Sequence, residues 1–106
     1  MGHYRYLVFT NPTEGHEAEF NTWYDEVHLG EVLAVPGFIG AERYRIEAAE
    51  AEHRYLAIYE FEADDPAAVL GELPARVADG RIGMPPVLDA NIKTVLYKVI
   101  TPRVTR

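Results

Sequence analysis

The segment His53–Glu62 reads HRYLAIYEFE, and neither side of it is polar. On an extended strand, Tyr55, Ala57, Tyr59 and Phe61 share one face while Leu56 and Ile58 fall on the other. Two further strand-like runs behave alike. In Tyr4–Asn11 (YRYLVFTN), Tyr4, Tyr6 and Val8 oppose Leu7 and Phe9; in Ala90–Ile100, Ile92, Leu96 and Ile100 oppose Val95, Tyr97 and Val99. A sheet with helices on one side and water on the other alternates apolar with polar residues. Strands that are apolar on both sides need two covers. The chain has 106 residues, the size of a single domain spanning 1–106. It has helices enough to cover one face, so the simplest second cover is another copy of the chain, giving a homodimer joined through the sheet face.

The remaining elements follow from periodicity and turn chemistry. Asn11-Pro12-Thr13-Glu14-Gly15 is a turn, and helical spacing begins at His16. Phe20, Trp23, Val27 and Ala34 fall near one stripe, which predicts an amphipathic helix from His16 to about Ala34 with that stripe inward. Gly30 interrupts the stripe, so a bend or restart is expected near Leu29-Gly30. Val35-Pro36-Gly37 ends the helix, and Phe38–Ile46 is a strand. The acidic link Glu47–Glu52 lacks a tight-turn signal and predicts a wide loop. Asp64-Asp65-Pro66 starts a second helix that Pro74 should kink or break and Asp79-Gly80 should close. The order is β-α-β-β-α-β. The right-handed crossover rule turns it into an α+β, ferredoxin-like fold: a four-stranded antiparallel sheet with both helices on one face.

Composition excludes several kinds of function. Seventeen acidic residues against ten basic ones give a net charge of −7, which repels phosphate backbones and anionic membranes, so neither nucleic acid nor a membrane is expected as a partner. There is no Cys, which removes disulfides, thiol catalysis and the usual structural zinc sites. No apolar run is long enough to span a bilayer, and Met1–Asn11 lacks the form of a signal peptide; a cytoplasmic protein is the expectation. No phosphate loop, dinucleotide fingerprint or serine-nucleophile motif is present. The aromatic residues stand out, with seven Tyr, four Phe and one Trp. Those on the strands suit either the seam between two sheets or a pocket for a flat apolar ligand.

Asn11-Pro12-x-x-Gly15, then Phe20-Asn21-x-Trp23-Tyr24-x-x-x-His28, then Val35-Pro36-Gly37-Phe38, resembles the dimeric α/β-barrel superfamily, and within it the EthD-like small bacterial proteins. The resemblance covers nearly the whole chain. It implies two ferredoxin-like sheets paired face to face as a barrel, with a small apolar pocket in each protomer between its helices and its sheet. The chemistries it implies are cofactor-free oxygenation of polycyclic phenols, lactone isomerisation, polyketide ring closure and, in some branches, haem breakdown. Many similar proteins have no assigned activity.

His28 is the leading candidate for chemistry, because imidazole exchanges a proton near neutral pH. Asn21, Tyr24, His28 and Glu31 recur at helical spacing, and either Asp25 or Glu31 could orient the ring. Tyr24 and Asn21 are candidates to position a substrate oxygen, while Trp23, Tyr6, Tyr44, Tyr59 and Phe61 are candidate pocket walls. Parity alone does not say which strand face meets the helices. A structural His28 bonded at the helix edge is the plainer alternative. Asp25-x-x-His28 has ligand spacing, but His3, His16 and His53 lie on other elements, so no metal is expected. His16 and His28 are also about 120° apart around a helix. No arginines mark a haem propionate site, and no cofactor is expected. Arg43 and Arg45 read as a solvated or interface charge pair. Two functions follow: a small cofactor-free enzyme of isomerase, cyclase or oxygenase type that moves a proton on a hydrophobic aromatic or polyketide-like molecule, or a non-catalytic binding or accessory protein of the same fold.

Overall fold

The aromatic and β-branched runs are strands, and their pairing settles which face is which. The computed structural model describes residues 1–106. Its strands are β1 (Gly2–Thr10), β2 (Phe38–Arg45), β3 (Tyr55–Ala63) and β4 (Lys93–Lys98). They form one antiparallel sheet in the order β2-β3-β1-β4. Three α-helical segments, α1 (Glu17–Trp23), α2 (Leu29–Leu33) and α3 (Pro66–Ala78), complete the β-α-β-β-α-β order. The architecture is the expected ferredoxin-like α+β fold. The last strand is shorter than expected, because Asp89 and Asn91 close a local turn (Asn91 N–H to Asp89 Oδ1, 2.8 Å) before Lys93.

The register places Tyr4 opposite Phe61, Tyr6 opposite Tyr59, Val8 opposite Ala57 and Thr10 opposite Tyr55. Thr10, Tyr55, Ala57, Tyr59 and Phe61 are all buried, so this is the face that the helices cover. Phe20, Tyr24, Val32, Val35 and Phe38 close over it to make the core. Leu7, Phe9, Leu56, Ile58, Val95 and Tyr97 lie on the other face with the ion pair Arg5–Glu60 (3.2 Å). No element of the chain covers that side.

The first helix departs from expectation in an informative way. Its irregularity is a π-helical turn, Tyr24–His28, that joins α1 to α2 ahead of Gly30. Each α-helical step of four residues overshoots a full turn, and the wider π turn takes back that drift. Phe20, Tyr24, His28 and Val32 are thereby kept on the inner side. Val27, assigned to the inward stripe by simple helical spacing, is 48% exposed instead.

α2 ends at Leu33 with Ala34 as its C-cap, and in the turn into β2 Gly37 adopts φ 104°, a conformation that disfavours any side chain. Asp65 caps α3, accepting from the N–H groups of Ala67 (3.1 Å) and Ala68 (3.4 Å). That helix runs through Pro74 without a break.

Candidate functional site

Between the covered face of the sheet, the π turn and α3 lies a cavity of about 170 Å³. Tyr6, Val8 and Thr10 of β1, Tyr59 of β3 and Thr94 beside β1 form its floor. Tyr24, His28 and Val32 form one wall, Leu73, Pro74 and Val77 of α3 another, and Ile82, Met84, Leu88 and Ile92 close the rest. No Asp, Glu, Lys or Arg lines it.

His28 is held from several sides. Its ring stacks on Trp23 (centroids 4.6 Å apart, planes 27° apart) and meets Tyr24 edge-on at 4.9 Å. Of its two candidate carboxylate partners, Glu31 is the one beside it, with Oε1 3.5 Å from Nδ1. That is too long for a firm hydrogen bond. Asp25 instead accepts from Arg43 at 2.7 Å. Burial lowers the His28 pKa below its usual 6.5, and the bonding and charge of Glu31 only partly oppose it. The resting imidazole is neutral at pH 7.

The phenols are shifted the other way. Tyr24 and Tyr59 are each 1% exposed, and burial raises both pKa values, so both hydroxyls keep their protons. Tyr59, Thr10 and Tyr6 are the cavity groups that act on the Tyr24 hydroxyl. Two buried hydroxyls of the cavity wall, Thr10 Oγ1 and Tyr59 Oη, make no well-formed hydrogen bond, although both lie near the Tyr24 hydroxyl. Buried polar groups are nearly always paired, so these two mark a place suited to something polar.

The other expected site residues lie elsewhere. Asn21 is behind the wall, donating to Tyr55 Oη (3.1 Å) and accepting from Arg43 Nη2 (2.7 Å), so it holds the scaffold and does not reach the cavity. Trp23 backs His28 from outside, and Phe61 is fully buried against Tyr4 and Phe38. Tyr44 is on the uncovered face, its hydroxyl donating to Glu42 at 2.9 Å. A β-bulge between Phe38 and Gly40 is the reason: Phe38 faces the helices, and after the extra residue so do Ala41 and Arg43.

The same bulge corrects the reading of Arg43 as half of a solvated or interface charge pair. Its side chain is 13% exposed, and its guanidinium sits 4.4 Å from the centre of the Tyr24 ring, bonded to Asp25 and Asn21. Thr10 and Thr94 were also missed. Thr10 continues the Tyr4-Tyr6-Val8 parity and was legible from it, whereas Thr94 needed the β1–β4 register. No three His, Asp or Glu side chains converge in a metal-ligating group. No helix is long and apolar enough to cross a membrane.

No protein-family model matches the chain, and none of the curated proteins matches it. Solved structures do. A candidate monooxygenase from Shewanella loihica is 14% identical with a TM-score of 0.64, over 95% of this chain and 98% of that one. An EthD-family protein from Bacillus halodurans is 13% identical with a TM-score of 0.60, over 94% and 100%. A dimeric ferredoxin-like protein of unknown function from Thermobifida fusca is 14% identical with a TM-score of 0.62, over 92% of each. At such identities the fold is what is shared. The ferredoxin-like fold and the EthD name among these neighbours are those that the Asn11–Phe38 resemblance gave.

Proposed function

We propose that this chain is a small enzyme that needs no cofactor and transfers a proton on a hydrophobic aromatic or polyketide-like molecule held in the cavity, with His28 as the base. The observation that carries this reading is the meeting of a neutral, buried imidazole with unpartnered hydroxyls in one apolar cavity. Glu31 beside Nδ1 favours the tautomer with its proton there, leaving Nε2 as the basic atom. Nε2 takes a proton from a carbon next to a substrate carbonyl. The negative charge that develops on the carbonyl oxygen is met by the hydroxyls of Tyr24, Tyr59 and Thr10, as in any pre-formed oxyanion site. Returning the proton at a different carbon isomerises the substrate; attack of the enolate carbon on a second carbonyl closes a ring, and the alkoxide so formed takes the proton back from His28. Asn21 and Arg43 are positioning residues that hold Tyr24 and the π turn.

The uncovered sheet face belongs to the same proposal, as the seam of a homodimer. Its apolar residues match the expected second cover, and the Thermobifida fusca neighbour is described as dimeric. The test of the chemistry is deuterium wash-in at the α-carbon of cyclohexanone in D2O, followed by proton NMR. Wild-type protein should accelerate exchange and His28→Ala should not, with both giving the same far-UV circular dichroism. Exchange equal in the two proteins removes His28 as the base. Saturable binding of cyclohexanone with no exchange in either protein favours the non-catalytic binder instead.

A further inference from the structure

We infer that the cavity selects an uncharged ligand of single-ring size and seats its oxygen on the Thr10–Tyr24–Tyr59 hydroxyl cluster, rejecting carboxylates of the same shape. This rests on the functional reading above and narrows its ligand class.

Size is the first argument. At about 170 Å³ the cavity is close to the 150 Å³ or so that holds benzene in a protein core, so it has room inside for a single ring. Charge is the second. A carboxylate entering this space would leave its hydration shell and find no resident cation, since no Lys or Arg lines the wall and the buried His28 ring is neutral. The one nearby guanidinium, that of Arg43, lies over the Tyr24 ring and is already engaged by Asp25 and Asn21. Pairing is the third. Thr10 Oγ1 and Tyr59 Oη make no well-formed hydrogen bond beyond a loose approach to the Tyr24 hydroxyl, and each can both donate and accept. A ligand oxygen, whether carbonyl or hydroxyl, satisfies them; a hydrocarbon leaves them unpaired. The remaining wall is apolar and suits the ring.

The test is binding of phenol, toluene and benzoate at pH 7 to the full chain, read by titration calorimetry and by the emission of Trp23, the only tryptophan, which stacks on His28. Phenol should bind about tenfold more tightly than toluene. Benzoate should bind at least about 100-fold more weakly than phenol. Tyr59→Phe and Thr10→Val should each erode the preference for phenol over toluene while leaving toluene affinity within about twofold. Either substitution removes a buried unpaired hydroxyl without creating a cavity, and unfolding curves check that both variants fold. Benzoate binding as tightly as phenol overturns the inference, and so does a phenol preference that survives both substitutions. The outcome is separable from the proton-transfer reading. Failure of His28-dependent exchange with this binding pattern intact leaves a selective binder, whereas exchange together with tight benzoate binding leaves an enzyme of another ligand class.

Discussion

His28 should make the protein acid-sensitive in a way that one substitution removes. Its imidazole is largely buried, and burial holds its folded pKa below 6.5. In the unfolded chain the ring regains the ordinary value. As pH falls through 6.5 the unfolded state therefore takes up a proton that the folded state refuses, and unfolding is favoured. Stability is complete above 6.5, declines as pH drops toward the folded pKa, and stops declining below it, where both states are charged. Within that window the slope approaches about 1.4 kcal/mol per pH unit. For a domain of this size each kcal/mol moves Tm by about 4 °C or somewhat more.

The assay is urea unfolding of wild type and His28→Gln at several points between about pH 8 and about pH 5. Other titrating groups act equally in both proteins, so the difference between the curves isolates His28. Relative to its own value at high pH, wild type should lose more stability in acid than His28→Gln. Trp23 gives a local check: protonation of a ring stacked 4.6 Å away should quench its emission, with a midpoint below 6.5. Parallel pH profiles for the two proteins, or a Trp23 midpoint above 6.5, would refute the reasoning, because the contact with Glu31 would then outweigh burial.

Two other substitutions probe the fold and the seam. Ile58→Asp places a charge at the centre of the uncovered face; light scattering should show wild type at twice the 12.0 kDa chain mass and the variant at the single-chain mass, and a wild type that is already monomeric refutes the seam. Gly37→Ala forces a side chain onto φ 104°, with its Cβ 3.2 Å from the Glu62 carbonyl oxygen, and should cost about 1–2 kcal/mol in urea unfolding; no loss would mean that the turn relaxes.

Element order, the cap at Asp65, the turn at Gly37 and the apolar character of both sheet faces were set by local sequence, since each rests on residue type and spacing over a few positions. That the rings of His28 and Tyr24 lie side by side was legible on the same grounds, because residues four apart are neighbours on a helix. What the sequence could not decide depends on where backbone regularity fails. The π turn redirected the inward stripe from Trp23 and Val27 to Tyr24, His28 and Val32. A single extra residue in β2 turned Arg43 inward and Tyr44 outward. The bulge falls at Gly40, a residue type that often marks such breaks in a strand, but which later side chains it turns inward follows only from the β2–β3 register. Choosing the buried face needed the β1–β3 register, and only then did Thr10 and Tyr59 come together. The sequence determined a two-faced sheet and a helical histidine; the tertiary structure decided which hydroxyls share that histidine's cavity, because their placement depends on strand pairing across distant parts of the chain.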